Sequence, residues 1–134
     1  MKFTEFCKQL EDKIKNSYEQ GTSMEEAEKL AAEFLYAQMV VSKELTGKDL
    51  DARMKKSGNK AMRAGVYLNI VASSDKKPTE AQISAMIETD EKVNIQQNLM
   101  DTAEVEAAEL QRYYDIFTRA ELLFKKRSEG SFGG

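Results

Sequence analysis

Apolar residues recur every three or four positions along most of this 134-residue chain, and its only proline is Pro78. That spacing gathers apolar side chains on one side of an α-helix, whereas a half-buried strand would need them at every second position. Proline disfavours helical geometry in the residue before it, so a loop is expected just ahead of Pro78. The sequence therefore predicts an all-α protein.

Helix boundaries follow from local signals. Gly21 stands where a first helix would stop, and Ser23 with Glu26 forms a capping box for a second. Thr46 and Gly47 then interrupt the apolar spacing, which predicts the end of that second helix. The predicted helices span residues 3–20, 23–45, 48–72, 79–88 and 90–127, followed by a flexible tail at 128–134.

Length and composition bound the class of protein. A chain of 134 residues fits a single domain, and its 32% of charged residues is typical of long helices washed by solvent. The single cysteine, Cys7, has no partner for an internal disulfide, and its place among apolar residues predicts a small core residue. No leader and no apolar run of about 18 residues is visible, so a cytoplasmic location is expected.

Catalysis is disfavoured by what the composition lacks. The chain has no histidine, the side chain most often used for proton transfer near neutral pH, and one cysteine leaves few ligands for zinc. The pairs Asp90 with Glu91 and Asp101 with Glu104 are expected to be solvated surface residues rather than a metal or acid–base site. We therefore predict a protein that is not an enzyme, with no metal and no cofactor.

The third predicted helix, residues 48–72, has an apolar face. It consists of Leu50, Met54, Ala61, Ala64, Leu68 and Ala72, with Gly58 and Gly65 near its edge. The small residues would let another backbone approach closely, so this apolar face is predicted to be the packing face. Val66 and Ile70 point nearly the opposite way, which predicts a second buried contact.

Beside that face runs a line of cations ending in an aromatic ring, which we call the basic stripe: Arg53, Lys56, Lys60, Arg63 and Tyr67. Intervals of three and four residues place the five side chains along one side of the helix, over about 21 Å. Cations in such a line suit the phosphates of a nucleic acid, and the ring of Tyr67 suits stacking on a base. The alternative is a solvated face whose lysines pair with acids of the next helix.

Charge changes sign abruptly at Pro78. Residues 48–77 carry a net charge of +5 and residues 78–111 carry −7, although the whole chain is near neutral at −3. This separation favours a surface that binds anions, together with an acidic segment that could face a basic protein or the chain's own cations.

From Val93 onward, apolar residues follow a seven-residue repeat. One core position holds Val93, Met100, Ala107 and Tyr114, and the other holds Gln96, Ala103, Leu110, Phe117 and Phe124. The repeat is typical of a coiled-coil seam, covered either by other helices of the chain or by further subunits. The predicted fold is an elongated helical bundle with a long coiled-coil-like C-terminal helix, assembled as an oligomer.

Part of the third helix resembles a known family. The segment Lys60-Ala61-Met62-Arg63, followed by Tyr67-Leu68, is similar to the basic helix ending in tyrosines of phage recombination mediators of the UvsY family. The order of parts is also similar across residues 35–127: Glu88-Thr89-Asp90-Glu91 opens a long helix that reaches Tyr113-Tyr114 and a basic end.

The resemblance implies a function. Members of that family are small helical proteins that form ring-like oligomers, bind single-stranded DNA and help to load a RecA-type recombinase in place of a single-strand-binding protein. Carried onto this chain, it places Lys60 and Arg63 in contact with DNA and leaves Tyr67 as a base-stacking residue.

The expected function is therefore non-catalytic binding of single-stranded nucleic acid by a homo-oligomer, with a recombinase or single-strand-binding protein as partner and no membrane. The alternative is a small phage-type adaptor or inhibitor that binds a host protein through its acidic helix, with the basic stripe used only for internal ion pairs. A structural assembly subunit would need only the coiled-coil seam.

Overall fold

A computed structural model describes residues 2–130 of the chain, and all regular structure in this range is helical. The helices are α1 Phe3–Gln20, α2 Met24–Ser73, α3 Glu80–Glu88 and α4 Glu91–Ser128. The all-α prediction is confirmed. Of the predicted tail, Ser128 ends α4, Glu129 and Gly130 form a turn, and residues 131–134 lie outside the described range.

The helix ends show the predicted chemistry. After α1 the chain turns at Gly21, whose φ of 79° lies in the left-handed region that favours glycine, and its N–H donates to the Ser17 carbonyl at 2.9 Å. The Ser23 hydroxyl accepts from the Glu26 N–H at 3.1 Å, which satisfies one of the free donors that begin α2. Thr79 caps α3 through a full capping box.

The predicted break at Thr46 and Gly47 is wrong, because α2 continues through both residues as one helix of 50 residues. A glycine inside a helix costs about 1 kcal/mol relative to alanine. Ending the helix would cost more, because it would leave several backbone donors and acceptors without partners at two new ends. Neither residue forbids helical geometry, so the hydrogen-bond ladder continues.

By their internal contacts, the described residues form two compact units. The first unit comprises residues 2–45 and 109–130, and the second comprises residues 46–108. Both α2 and α4 contribute residues to each unit.

Aromatic rings fill the core of the first unit. Phe34 of α2 is fully buried, and its ring centroid lies 5.5 Å from that of Phe117 and 5.6 Å from that of Phe124. The other buried members of this core are Cys7, Leu10, Ala27, Ala37, Val41 and Ala120. The inward side of α2 in this unit is centred near Ala37, which is fully buried, whereas Leu35 and Met39 are exposed.

Cys7 is a core residue, as predicted from its apolar neighbours. Its side chain is fully buried. Burial raises the pKa of the thiol to about 11, and the nearby carboxylates of Glu11 and Glu109 add to the shift. The thiol therefore stays protonated and unreactive at neutral pH.

The core of the second unit is smaller and contains no aromatic ring among its buried residues. Its buried apolar members are Ile70, Ile83, Val93, Ala103 and Ala107. The apolar face of α2, predicted to be the packing face, points outward instead: Leu50 is 59% exposed, Met54 65% and Leu68 66%. That prediction is wrong for the monomer.

The physical reason is the polar character of α4 where it meets this part of α2. Lys48 pairs with Glu106 at 3.0 Å, and the Gln96 amide donates to the Lys55 carbonyl at 3.4 Å. Gly58 makes room for that amide, because a Cβ there would lie 3.2 Å from Gln96 Nε2. The helix therefore turns its mixed polar side inward. Ile70, predicted to make a second buried contact, is part of this inner side.

The coiled-coil seam of α4 is covered within the monomer. In the second unit, Val93, Ala103 and Ala107 are buried and Gln96 and Met100 are partly buried. In the first unit, Leu110, Phe117 and Phe124 are buried and Tyr114 is partly buried. Coverage by other helices of the same chain, one of the two alternatives for the seam, accounts for these residues.

Candidate nucleic-acid interface

The basic stripe lies on the part of α2 that belongs to the second unit, and the structure divides it into two groups. Arg53, Lys56 and Lys60 are exposed, and no ion pair joins any of them to a carboxylate in the described residues. Arg63 and Tyr67 are partly buried and engaged. The stripe is therefore free at its N-terminal end and occupied at its C-terminal end.

The three free cations share one side of the helix. At about 1.5 Å of rise per residue, the seven-residue step from Arg53 to Lys60 spans about 10 Å. Lys56 lies between them along the axis. At 100° per residue, all three side chains project within a sector of roughly 60° around the helix. Nearby, Lys55 is tied to Asp51 at 3.0 Å and is not part of this group.

Arg63 is held by three acceptors from three parts of the second unit. Its Nη1 donates to the Glu88 carboxylate of α3, its Nη2 to Gln97 Oε1 of α4 at 3.1 Å, and its Nε to Asn59 Oδ1 at 3.1 Å. The hydrogen bond from Arg63 lowers the pKa of the Glu88 carboxyl below its ordinary value, and the same contact raises the pKa of the guanidinium. The arginine is thus fixed and its charge is matched.

Asn59 supports this arrangement from inside. The residue is 6% exposed. Its Oδ1 accepts a hydrogen bond from Arg63 Nε, while its Nδ2 has no partner in the described part of the chain. A buried amide with an unmet donor costs free energy. Asn59 is therefore one of the three residues that set the direction of the arginine.

Tyr67 is engaged by the same short helix. Its hydroxyl donates to Glu80 Oε1 of α3 at 3.3 Å, and its ring is partly covered. The acids that engage Tyr67 and Arg63 therefore stand at the first and last residues of α3. Ile83, which is 1% exposed, anchors the helix between them.

Sequence reasoning did not single out Glu80 and Glu88. The available signal was the change of charge at Pro78, which placed acids directly after the cations in the chain. In the alternative considered for the stripe, its lysines pair with acids of the next helix. No ion pair of Lys56 or Lys60 occurs in the described residues; acids of α3 instead engage Arg63 and Tyr67. The five predicted residues lie on one helix but in different surroundings.

Two other features are absent from residues 2–130. No three carboxylate or thiol side chains converge there as a bound metal ion requires. None of the four helices holds an apolar stretch of the length and purity needed to cross a bilayer.

Comparisons with known proteins were made with models of protein families, with curated protein sequences and with solved structures. None of the three finds a match to this chain.

Proposed function

We propose that this protein is a non-catalytic accessory protein of DNA recombination that binds single-stranded DNA as an oligomer. The observation that carries the proposal is the exposed, unpaired state of Arg53, Lys56 and Lys60 along one side of α2. The resemblance of residues 60–68 to the basic helix of recombination mediators points to the same ligand.

The mechanism is electrostatic. Each cation that neutralises a phosphate releases condensed counterions, so affinity arises without recognition of base sequence and falls as salt rises. Three free charges per chain give only modest affinity. Several copies that hold their stripes against one strand would bind more tightly, because later contacts form at high effective concentration.

Arg63 and Tyr67 have a conditional role in this proposal. Both are held by carboxylates of α3, so neither is available to a strand that meets the protein as it stands. Phosphate would compete with Glu88 for Arg63, and displacement of α3 would expose the Tyr67 ring for stacking. Lys60 needs no such change and is the first contact.

The partner proposed for the acidic segment is a basic surface on a recombinase or a single-strand-binding protein. Glu91, Asp101 and Glu104 of α4 are exposed. Acids that remain solvated can steer a cationic partner and suppress wrong encounters.

The test is an anisotropy titration of a labelled single-stranded oligonucleotide at two salt concentrations. The triple variant Arg53→Ala/Lys56→Ala/Lys60→Ala should weaken binding and make the slope of log K against log salt less negative by about 2, since each lost contact removes about 0.7. The matched control is Lys8→Ala/Lys15→Ala/Lys29→Ala, which removes three exposed lysines of the first unit and changes the net charge equally. Equal effects of the two triple variants would refute the role of the stripe.

The ion pair between Arg63 and Glu88 favours a second candidate, an adaptor or inhibitor that binds a host protein through its acidic helix. In that case the stripe would serve internal contacts, and the titration would show no binding at either salt concentration. Oligomers that bind no DNA would instead point to a structural assembly subunit.

A further inference from the structure

The apolar face of α2 has no partner within the described residues. Leu50, Met54 and Leu68 each leave more than half of their surface exposed, and Ala61, Ala64 and Ala72 are also exposed. Isolated apolar residues are common on protein surfaces, but a continuous face marks a site of interaction. From Leu50 to Ala72 this face extends about 33 Å along the helix.

The face has an ordered distribution of side-chain sizes. Leu50 and Met54 stand at one end of the face and Leu68 near the other, with Ala72 beyond it; Ala61 and Ala64 occupy the middle between them, next to Ser57. Gly58 and Gly65 flank that middle on one edge. Small residues allow two helix backbones to approach closely, while the larger ones pack at the ends.

We propose that this face pairs with the same face of a second copy of the chain, related by a two-fold axis near Ala61. An isologous contact of this kind needs one self-complementary surface. Small residues then meet small residues at the centre, and the large side chains of both copies enclose them. The contact concerns assembly alone and does not depend on whether the protein binds DNA.

Charged side chains beside the apolar face could pair with charges of a second copy. An open groove of about 710 Å³ borders the face, lined by residues of α2 that include Ala61, Gly65 and Leu68, and around the start of α4 by Asp90, Glu91 and Lys92.

The edges of a second α2 supply the complementary charge. In a parallel pair the edge of one copy that carries the exposed Lys60 would face Asp90 and Glu91 of the other. Lys55, towards the opposite edge, is partly buried and already paired with Asp51, so the charges favour the parallel pair.

The first experiment measures the mass of the protein in solution, without nucleic acid, by sedimentation and light scattering over a range of micromolar concentrations. We expect the wild-type chain to reach twice the 15.2 kDa of one chain, or a multiple of that dimer. The variant Ala61→Glu should raise the dissociation constant of the pair about thirtyfold or more, because it buries an unpaired charge at the centre. The matched control is Ala108→Glu, at an exposed alanine of α4 in the same unit.

A second variant covers the case in which Ala61→Glu fails to fold. Ala61→Cys should give a covalent dimer under mild oxidation, because the two-fold axis brings both copies of this position together. Cys7 is buried and should not compete, and Ala108→Cys is the control. A monomeric wild type, or a dimer that neither Ala61 variant affects, would overturn the proposal. Loss of DNA binding by the double variant Arg53→Ala/Lys56→Ala, which keeps Lys60, with assembly intact would support a contact between copies that is separate from the DNA site.

Discussion

The carboxylate of Glu88 in α3 accepts a hydrogen bond from the guanidinium of Arg63 in α2. The two residues are 25 positions apart, and the contact joins the basic and acidic segments of the chain. If the protein binds DNA as proposed, Glu88 occupies the place of a phosphate at Arg63, because a carboxylate and a phosphate accept from the same donors.

Replacing Glu88 with glutamine should therefore strengthen binding of single-stranded DNA. We expect a gain of about two- to fivefold in affinity and a salt slope more negative by about 0.7, because one more cation becomes available to phosphate. The measurement is the oligonucleotide titration at two salt concentrations. Glu104→Gln removes the same charge from an exposed acid of α4 and serves as control. A gain of equal size in the control would mean that net charge alone is responsible.

Alkaline pH should destabilise the first unit through Cys7. The thiol has a pKa of 9.0 in the unfolded chain and about 11 in the folded chain, so between these values only the unfolded chain loses the proton. The unfolded state then binds fewer protons, and stability falls as pH rises from about 9 to 11, by on the order of 2 kcal/mol.

Urea unfolding across this pH range measures the effect. The variant Cys7→Ala should show a smaller decline than the wild type, whatever its stability at neutral pH. Tyr113, whose pKa burial raises to about 12, adds a decline of its own at higher pH, and Tyr113→Phe would separate the two. If stability declined equally with pH in wild type and Cys7→Ala, the decline could not be due to the Cys7 thiol.

Glycine substitutions test the continuity of α2. Gly47→Ala should raise the free energy of unfolding by about 0.5–1 kcal/mol, because the position is helical and a Cβ there would meet nothing within 4 Å. At Gly58 the same change should give little or no gain, since the new methyl group would press on Gln96. Thermal unfolding compares the two. Destabilisation by Gly47→Ala would indicate a break of the helix at that residue.

Phe34 and Leu35 are neighbours in the sequence with opposite surroundings. Phe34→Ala should cost about 3–5 kcal/mol, because it removes a ring packed between Phe117 and Phe124. Leu35→Ala should cost less than about 0.5 kcal/mol, since that side chain is 52% exposed. Denaturant unfolding of the two variants checks the orientation of α2 in the first unit. Similar losses at both positions would contradict it.

Local signals in the sequence predicted most of the fold. The spacing of apolar residues and the signals at Gly21, Ser23 and Pro78 placed the helices, because these effects act within a few residues. The predicted break at Gly47 is wrong because one glycine inside a helix costs less free energy than the two new helix ends that a break would create.

The orientation of α2 in the second unit could not be predicted in the same way. Periodicity shows which side of a helix is apolar, but not whether the chain supplies anything to cover that side. In the second unit, Gln96, Gln97 and Glu106 of α4 are polar partners for α2, and the polar side of α2 therefore faces inward. The basic stripe was placed correctly on one helix, while the engagement of Arg63 depended on a carboxylate 25 residues away.

Asn59 shows what fixing an arginine requires. A leucine at this position would fill a similar volume without an unpaired amide, and the free energy of unfolding of the second unit would be higher. The Arg63 Nε would then lose its acceptor, and only Glu88 and Gln97 would hold the guanidinium. Asn59 therefore adds a third contact that fixes the direction of the arginine, at the expense of one unpaired amide nitrogen.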